Sequence, residues 1–308
     1  MRGSIWVYWS SGIYKYIPVH DNEIILFLFE NFGSAMSSIF YQVKHKFKPH
    51  IENGKDKFWI AKDRLIPYTY RENPGATFMS NSLDPVPVPR EAPLKLWFLW
   101  MGKNELTENR LRNLEYLKKL GIPYELVTTP SQVEVRGGVH PGFRYLTPVH
   151  KADYLRMYIM YHHGGIYTDI KEIRGDLANS IRILNSDDGL WATGYPELGR
   201  WSTANVPGHL GQQIRRHYGL LMGMGLFAFK PQTPLAGEAL QEMERRMTER
   251  MIALEAADAG ESDSYNPPQG YPFGWTELLG EILHPISLKY HKHIYKDDTL
   301  GVITENYR

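Results

Sequence analysis

The sequence predicts an α/β protein with a doubly wound sheet, and three observations carry that prediction. Strand-like and helix-like segments alternate from residue 94 to 175 and are joined by short turns. The run at 96–100 is apolar and aromatic throughout, as a strand covered on both faces must be. The chain has 308 residues, enough to bury roughly 75% of its unfolded surface, so core size is no constraint.

The elements follow in order. After the strand at 96–100, Asn104 is the expected N-cap of a helix in which Leu111, Leu114 and Leu117 share a face. Gly121 ends that helix, and Tyr124–Val127 reads as the second strand. Thr147 and Pro148 have the N-cap and first-turn chemistry of another helix, which runs to His163 with Val149, Ala152, Leu155 and Ile159 facing inward. Gly164 and Gly165 stop it, and a third strand is expected at 166–170. Further strands are expected at 190–193 and 226–229. Thr233 and Pro234 open a long helix whose Leu240, Met243, Met247 and Met251 recur at helical spacing as a packing face.

Pro85, Pro87 and Pro89 forbid helix and place an extended connector at 82–93. Ahead of it, residues 1–81 carry aromatic or β-branched runs at 5–9, 24–29, 58–61 and 66–70. They read as a small α+β appendage, with 94–308 as the main domain.

Thirty-five Lys and Arg against thirty-four Asp and Glu leave a net charge of +1, without the basic excess of a general nucleic-acid binder. The chain has no cysteine, which removes disulfides, thiolate metal sites and Cys nucleophiles. The apolar run at 24–29 is too short to span a bilayer, and the first residues lack a signal-peptide pattern. The expectation is a cytoplasmic protein without a transmembrane segment.

Some familiar patterns fit poorly. Gly223-x-Gly225-x-x-Ala228 has the letters of a dinucleotide fingerprint but precedes a strand. His162 and His163 read as a solvated helix end, and His291-x-His293 lacks the carboxylate a metal site would add.

The informative stretch is 147–174. Asp153 and Arg156 lie three apart on one helix face, and Asp169 falls at the carboxyl end of the next strand. That end is where open α/β sheets bind ligands. A surface ion pair plus a turn aspartate would show the same spacing.

The residues Ala152, Asp153, Arg156, Gly164, Gly165, Tyr167 and Asp169 resemble, in order and spacing, a family of GT-A glycosyltransferases. These are the enzymes with a "glycosyltransferase sugar-binding region containing DXD motif", which include capsular polysaccharide synthesis enzymes. The run Phe98-Leu99-Trp100-Met101-Gly102 resembles the family's first strand, whose aromatic stacks on the donor base. The resemblance spans roughly 94–175 and implies a GT-A, Rossmann-like nucleotide-sugar-binding fold. It also implies transfer of a sugar from a UDP- or GDP-sugar to a hydroxyl of a glycan or other acceptor, with retention at the anomeric carbon. By the same resemblance Asp153 and Arg156 grip the donor sugar, Gly102, Gly165 and Tyr167 belong to the donor site, and Trp100 meets the base.

One departure stands out. The motif reads Asp169-Ile170-Lys171, where the family has a second Asp that binds Mn²⁺ or Mg²⁺. Lysine cannot bind that cation but can bring a positive charge to the diphosphate, as metal-independent members of the fold do. Strand alternation would put Asp169 and Lys171 on one side. No cofactor is therefore expected, with a metal retained only if Asp169 alone suffices. The bland alternative turns Lys171 away and leaves the site inactive or dependent on Glu172. Gly270 to Glu277 reads either as a shaped loop, with Tyr271 and Trp275 as acceptor or lid residues, or equally as a buried anchoring turn, and Glu277 is the candidate should a carboxylate nucleophile be used. Rival readings are a nucleotide-sugar-binding protein without activity and a nucleotide-sugar hydrolase.

Overall fold

The computed structural model describes residues 4–7, 15–18, 59–63, 65–70, 77–80, 82–84 and 90–305. The chain divides into two compact units, Met1–Phe58 and Trp59–Arg308. In the first, strands β1 (Ser4–Val7) and β2 (Lys15–Pro18) pair antiparallel with Ile5 opposite Ile17. The run at 24–29 and the connector prolines lie outside the described residues. The division falls ahead of the connector expected at 82–93, because the segment from 59 belongs with the second unit. There Asp63 pairs with His217 at 2.7 Å. Residues 59–63 are helical and 66–70 irregular, so neither run forms a strand.

The second unit is a mixed α/β fold around a six-stranded, mostly parallel sheet. Its strands are β3 (Leu96–Leu99), β4 (Tyr124–Val127), β5 (Gly165–Thr168), β7 (Ala192–Pro196), β8 (Met222–Phe229) and β9 (Ile294–Lys296), in the order β4-β3-β5-β8-β7-β9. β3 is parallel to β4 and β5, and β7 is parallel to β9. β8 is antiparallel to both neighbours, β5 and β7. Five strands therefore end at one edge, and β8 begins there. This architecture agrees with a GT-A-like fold.

Side chains alternate along each strand and split the core in two. Trp97, Leu99, Tyr167, Phe227 and Phe229 face helices α2 (Pro148–His162), α5 (Pro234–Glu249) and α7 (Gly280–Lys289). Leu96, Phe98, Ile166, Leu226 and Ala228 face α1 (Glu108–Lys118) and α3 (Leu177–Asn185). With both faces covered, β3 is apolar at every position, which is why the run at 96–100 is readable. Helix α4 (Gly208–Arg216) adds Leu210 and Ile214 to the first core, and α6 (Met251–Ala257) adds Leu254.

Two details differ from the sequence reading. The N-cap of α1 is Thr107, whose hydroxyl accepts the Arg110 N–H at 3.3 Å. Asn104 lies in the preceding turn, where its carbonyl accepts the Trp100 indole N–H. With that phase Leu111 is exposed, while Leu114 and Leu117 are buried. The buried face of α2 is also wider than one stripe. Eight of its fifteen residues are buried, including Tyr154, Met157 and Tyr158, and Val149 and Ala152 lie at its rim.

The turn from α2 into β5 is tightly constrained. Gly164 and Gly165 have φ of +64° and +97°. An added Cβ at 164 would lie 2.8 Å from the Phe229 carbonyl, and one at 165 would lie 2.9 Å from Trp97 Nε1. The same indole N–H donates to the Gly164 carbonyl at 2.9 Å. Gly165→Ala should therefore combine left-handed strain with overpacking, and lower stability by about 2–4 kcal/mol. Urea denaturation with an unchanged slope and a lower midpoint would show it.

Candidate active site

Asp153 and Arg156 stand one turn apart on α2 and bond at 2.8 Å. Both are buried enough that their charges must be satisfied by protein. Arg156 also donates to the Met224 carbonyl of β8 at 3.2 Å, lies over the Tyr167 ring at 4.5 Å and reaches to 4.0 Å from Asp169 Oδ1. Burial works against the guanidinium charge, but Tyr167, Asp153 and Asp169 outweigh it and raise its pKa. Burial pushes the Asp153 carboxyl up, against the pull of Arg156 and His150.

Strand β5 stops at Thr168, one residue short of Asp169. Asp169 is held instead by its neighbour strand, donating its N–H to the Gly225 carbonyl of β8 at 2.9 Å. The Lys171 N–H folds back onto the Asp169 carbonyl at 2.7 Å. A tight turn, not strand alternation, thus brings Lys171 beside Asp169. Asp169 Oδ1 accepts from the Tyr167 hydroxyl at 2.7 Å and Oδ2 from Lys171 Nζ at 2.8 Å. Burial opposes its charge, but the Lys171 and Arg156 cations and the bonds from Lys171 and Tyr167 hold its pKa below the usual carboxylate value. Tyr167, fully enclosed, is pushed well up by burial and stays a neutral donor. The Lys171 and Asp169 side chains remain 13% and 23% exposed, so a ligand can reach them.

A divalent cation of the DXD kind does not fit these donors. Both Asp169 oxygens are committed to Tyr167 and Lys171, and an ammonium stands where the second carboxylate would be. Among the described residues no group of three or more His, Asp or Glu is gathered to hold a metal.

Trp100 follows β3 at the same edge and is half-buried, with its indole N–H on the Asn104 carbonyl at 2.8 Å. The Arg110 guanidinium lies 5.6 Å from its ring centroid and donates to the Ile170 carbonyl at 3.2 Å, inside the Asp169–Lys171 turn. Gly102 sits in the turn after Trp100, where an added Cβ would collide with Asn104 Oδ1.

The loop after α6 packs on the amino end of α2. The Tyr271 hydroxyl bonds His150 Nδ1 at 2.7 Å and accepts the Thr147 N–H at 3.3 Å. His150 lies one helical turn before Asp153 on α2. Trp275 is exposed and stacks on Tyr265 at 4.9 Å. Glu277 is paired with Arg250 and accepts the Gly274 N–H at 3.0 Å. Burial opposes its charge, but Arg250 and the Gly274 N–H lower its pKa. None of these Glu277 contacts is with Asp153, Arg156, Asp169 or Lys171. Glu172 is exposed, and its carbonyl accepts the Ile303 N–H next to the pair of short strands β6 (Ile173–Arg174) and β10 (Gly301–Val302).

Sequence reasoning missed Tyr195 and Gly225. The Gly225 N–H donates to the Tyr195 hydroxyl at 3.2 Å, and an added Cβ would lie 3.4 Å from Asp169 Oδ2. One at Gly223 would fall inside the Tyr195 ring. The Gly-x-Gly that failed as a dinucleotide fingerprint lies within β8 and clears space for Tyr195 and Asp169; that spacing was the available signal. His150 was missed too: its Nε2 is buried without a partner. His163 is not a solvated end, since its Nε2 bonds the Val133 carbonyl at 2.7 Å. His291 and His293 occupy a 3₁₀ turn instead of a strand, with His293 stacked on Trp191.

Residues 76–182 match the family model described as the glycosyltransferase sugar-binding region containing DXD motif. That segment is similar to a glycosyltransferase sugar-binding region. It runs from ahead of β3 into α3 and includes Trp100, Asp153, Arg156, Tyr167, Asp169 and Lys171. Comparison with curated proteins gives no match, and comparison with solved structures gives none. Among the described residues no helix is long and apolar enough to cross a membrane.

The lowered Asp169 pKa gives this segment a pH signature. Its contribution to stability is complete above the unfolded carboxyl value of about 4 and is lost as pH falls through the folded value. In Lys171→Met the carboxylate stays buried but loses its nearest cation, so its titration moves up. Acid unfolding followed by circular dichroism should shift to higher pH; an unchanged midpoint would mean that Arg156 and Tyr167 alone hold the charge.

Proposed function

We propose that this protein transfers a sugar from a UDP- or GDP-sugar to a hydroxyl of a glycan or other acceptor, with Lys171 in place of a divalent cation at the diphosphate. One observation supports this above the others: Lys171 Nζ stands 2.8 Å from the motif aspartate, where the second carboxylate of a DXD site would sit. An incoming diphosphate offers that ammonium a second anion. Lysine then serves as a fixed charge against the leaving group.

In this reading Asp153 and Arg156 hold the donor sugar hydroxyls, Gly165 and Tyr167 shape the floor under them, and Trp100 stacks on the base. Tyr271 and Trp275 flank the amino end of α2 as acceptor or lid residues. The bond from the anomeric carbon to the phosphate oxygen breaks, and the bond to the acceptor oxygen forms. In a retaining, front-face course the acceptor proton passes to the leaving phosphate oxygen, so no protein nucleophile is required. This course follows the resemblance; Glu277, held by Arg250, takes no part in it.

The test is diphosphate release from a panel of nucleotide sugars, with acceptor sugars, in EDTA and in Mn²⁺. Turnover should persist in EDTA, and Lys171→Ala should lower kcat by about 10²–10³-fold. Trp100→Ala should raise the donor KM by about tenfold with little change in kcat. Strict metal dependence would overturn the role of Lys171. The Lys171–Asp169 pair also suits a site that binds without turning over, and nucleotide-sugar binding with no release on any acceptor would select that reading. Release indifferent to acceptor would select hydrolysis.

A further inference from the structure

We infer that the cavity between residues 62–70 and α4 is a second, saccharide-binding site that takes an uncharged sugar unit of the acceptor. Its assignment to the acceptor rests on the transfer reading; sugar binding there does not. The cavity has a volume of about 360 Å³, within the range of small-ligand sites, and is lined by Asp63, Tyr68, Tyr70, His209, Gln213 and His217 among others.

At its core is a buried carboxylate–imidazole pair. His217 Nδ1 lies 2.7 Å from Asp63 Oδ1, and both side chains are 8% exposed. That contact assigns the imidazole proton to Nδ1, so the other nitrogen is left as an acceptor. Among the described residues no hydrogen bond reaches His217 Nε2. The Tyr68 ring packs against the His217 ring with centroids 4.3 Å apart. Burial, with Tyr70 and Asp63 adding, pushes the Tyr68 hydroxyl up to about 12, so it stays neutral and able to donate. On α4 the Gln213 amide nitrogen meets His209 Nε2 at 3.1 Å, which leaves the amide oxygen as a further acceptor.

This combination selects the occupant. Aromatic rings accept the apolar face of a pyranose, while an oriented imidazole, a phenol and an amide match its hydroxyls. Lys62 lines the same cavity and offsets the Asp63 carboxylate, so the lining offers no excess positive charge to a diphosphate or another anion. The position also fits an acceptor. Residues 197–221 leave the sheet at the end of β7 and return at the start of β8, where Pro196 pairs with Met222. That edge also carries Asp169, so the excursion bearing α4 starts and ends there, and none of the residues assigned to the donor lines the cavity.

The test uses the full chain, with saturation-transfer NMR on the methyl glycosides of mannose, galactose, glucose and N-acetylglucosamine, and with UDP as control. At least one glycoside should bind. Gln213→Ala, a half-buried change on α4, should weaken it about fivefold, and His217→Asn, which keeps a donor to Asp63 but removes Nε2, by at least as much. UDP binding should be unchanged in both variants, and Lys171→Ala should show the reverse pattern. Binding by none of the four glycosides, or binding indifferent to both variants, would overturn the site and leave Asp63–His217 as a pin for residues 59–70. Glycoside binding here without nucleotide-sugar turnover would sink the transfer reading alone. Turnover with an acceptor KM unmoved in both variants would sink this inference alone.

Discussion

Arg156 sits where α2, β5 and β8 meet, and a buried guanidinium must find partners for both its charge and its donors. It finds Asp153 on its own helix, the Met224 carbonyl on β8, the Tyr167 face on β5 and, at longer range, Asp169. The partners come from three elements, α2, the end of β5 and β8, so the cation acts as a clamp on the carboxyl edge of the sheet. Removing one partner would leave a charge that the interior cannot screen. The geometry of Asp169, and through it of Lys171, depends on this clamp.

The electrostatic design of the crevice is close to self-neutral. Among the described residues Asp153 and Asp169 face Arg156 and Lys171, and the phenols of Tyr167 and Tyr195 complete the hydrogen bonding. Each of these charges has a partner of opposite sign. An anionic ligand must then compete with Asp169 for Lys171, a competition that a doubly charged group can win and a neutral sugar cannot. The overall charge of +1 thus says nothing of how charge is arranged in this crevice, where two cations stand together.

Much of the central fold was legible because its signals are local. Thr147 and Pro148 begin α2, Gly164 and Gly165 end it, and β3, covered on both faces, is apolar at every position. The approach of Asp153, Arg156 and Asp169 was legible for the same reason: two lie on one helix and the third just past the strand that follows it. What escaped depends on contacts across the chain. Strand β8 runs against its neighbours, and no local pattern says that Gly225 will lie against Asp169. The cap at Thr107 escaped because Asn104 offers the same chemistry three residues earlier and is drawn into the turn by Trp100. The pairing of Asp63 with His217 spans 154 positions and leaves no trace in spacing.

Arg110 gives the crevice a property beyond its local contacts. One side chain borders the Trp100 ring and holds the Ile170 carbonyl, so the aromatic platform and the turn bearing Lys171 are mechanically joined. Two ends of a ligand that engage these two places share the cost of ordering them, since whatever steadies the ring also steadies the turn.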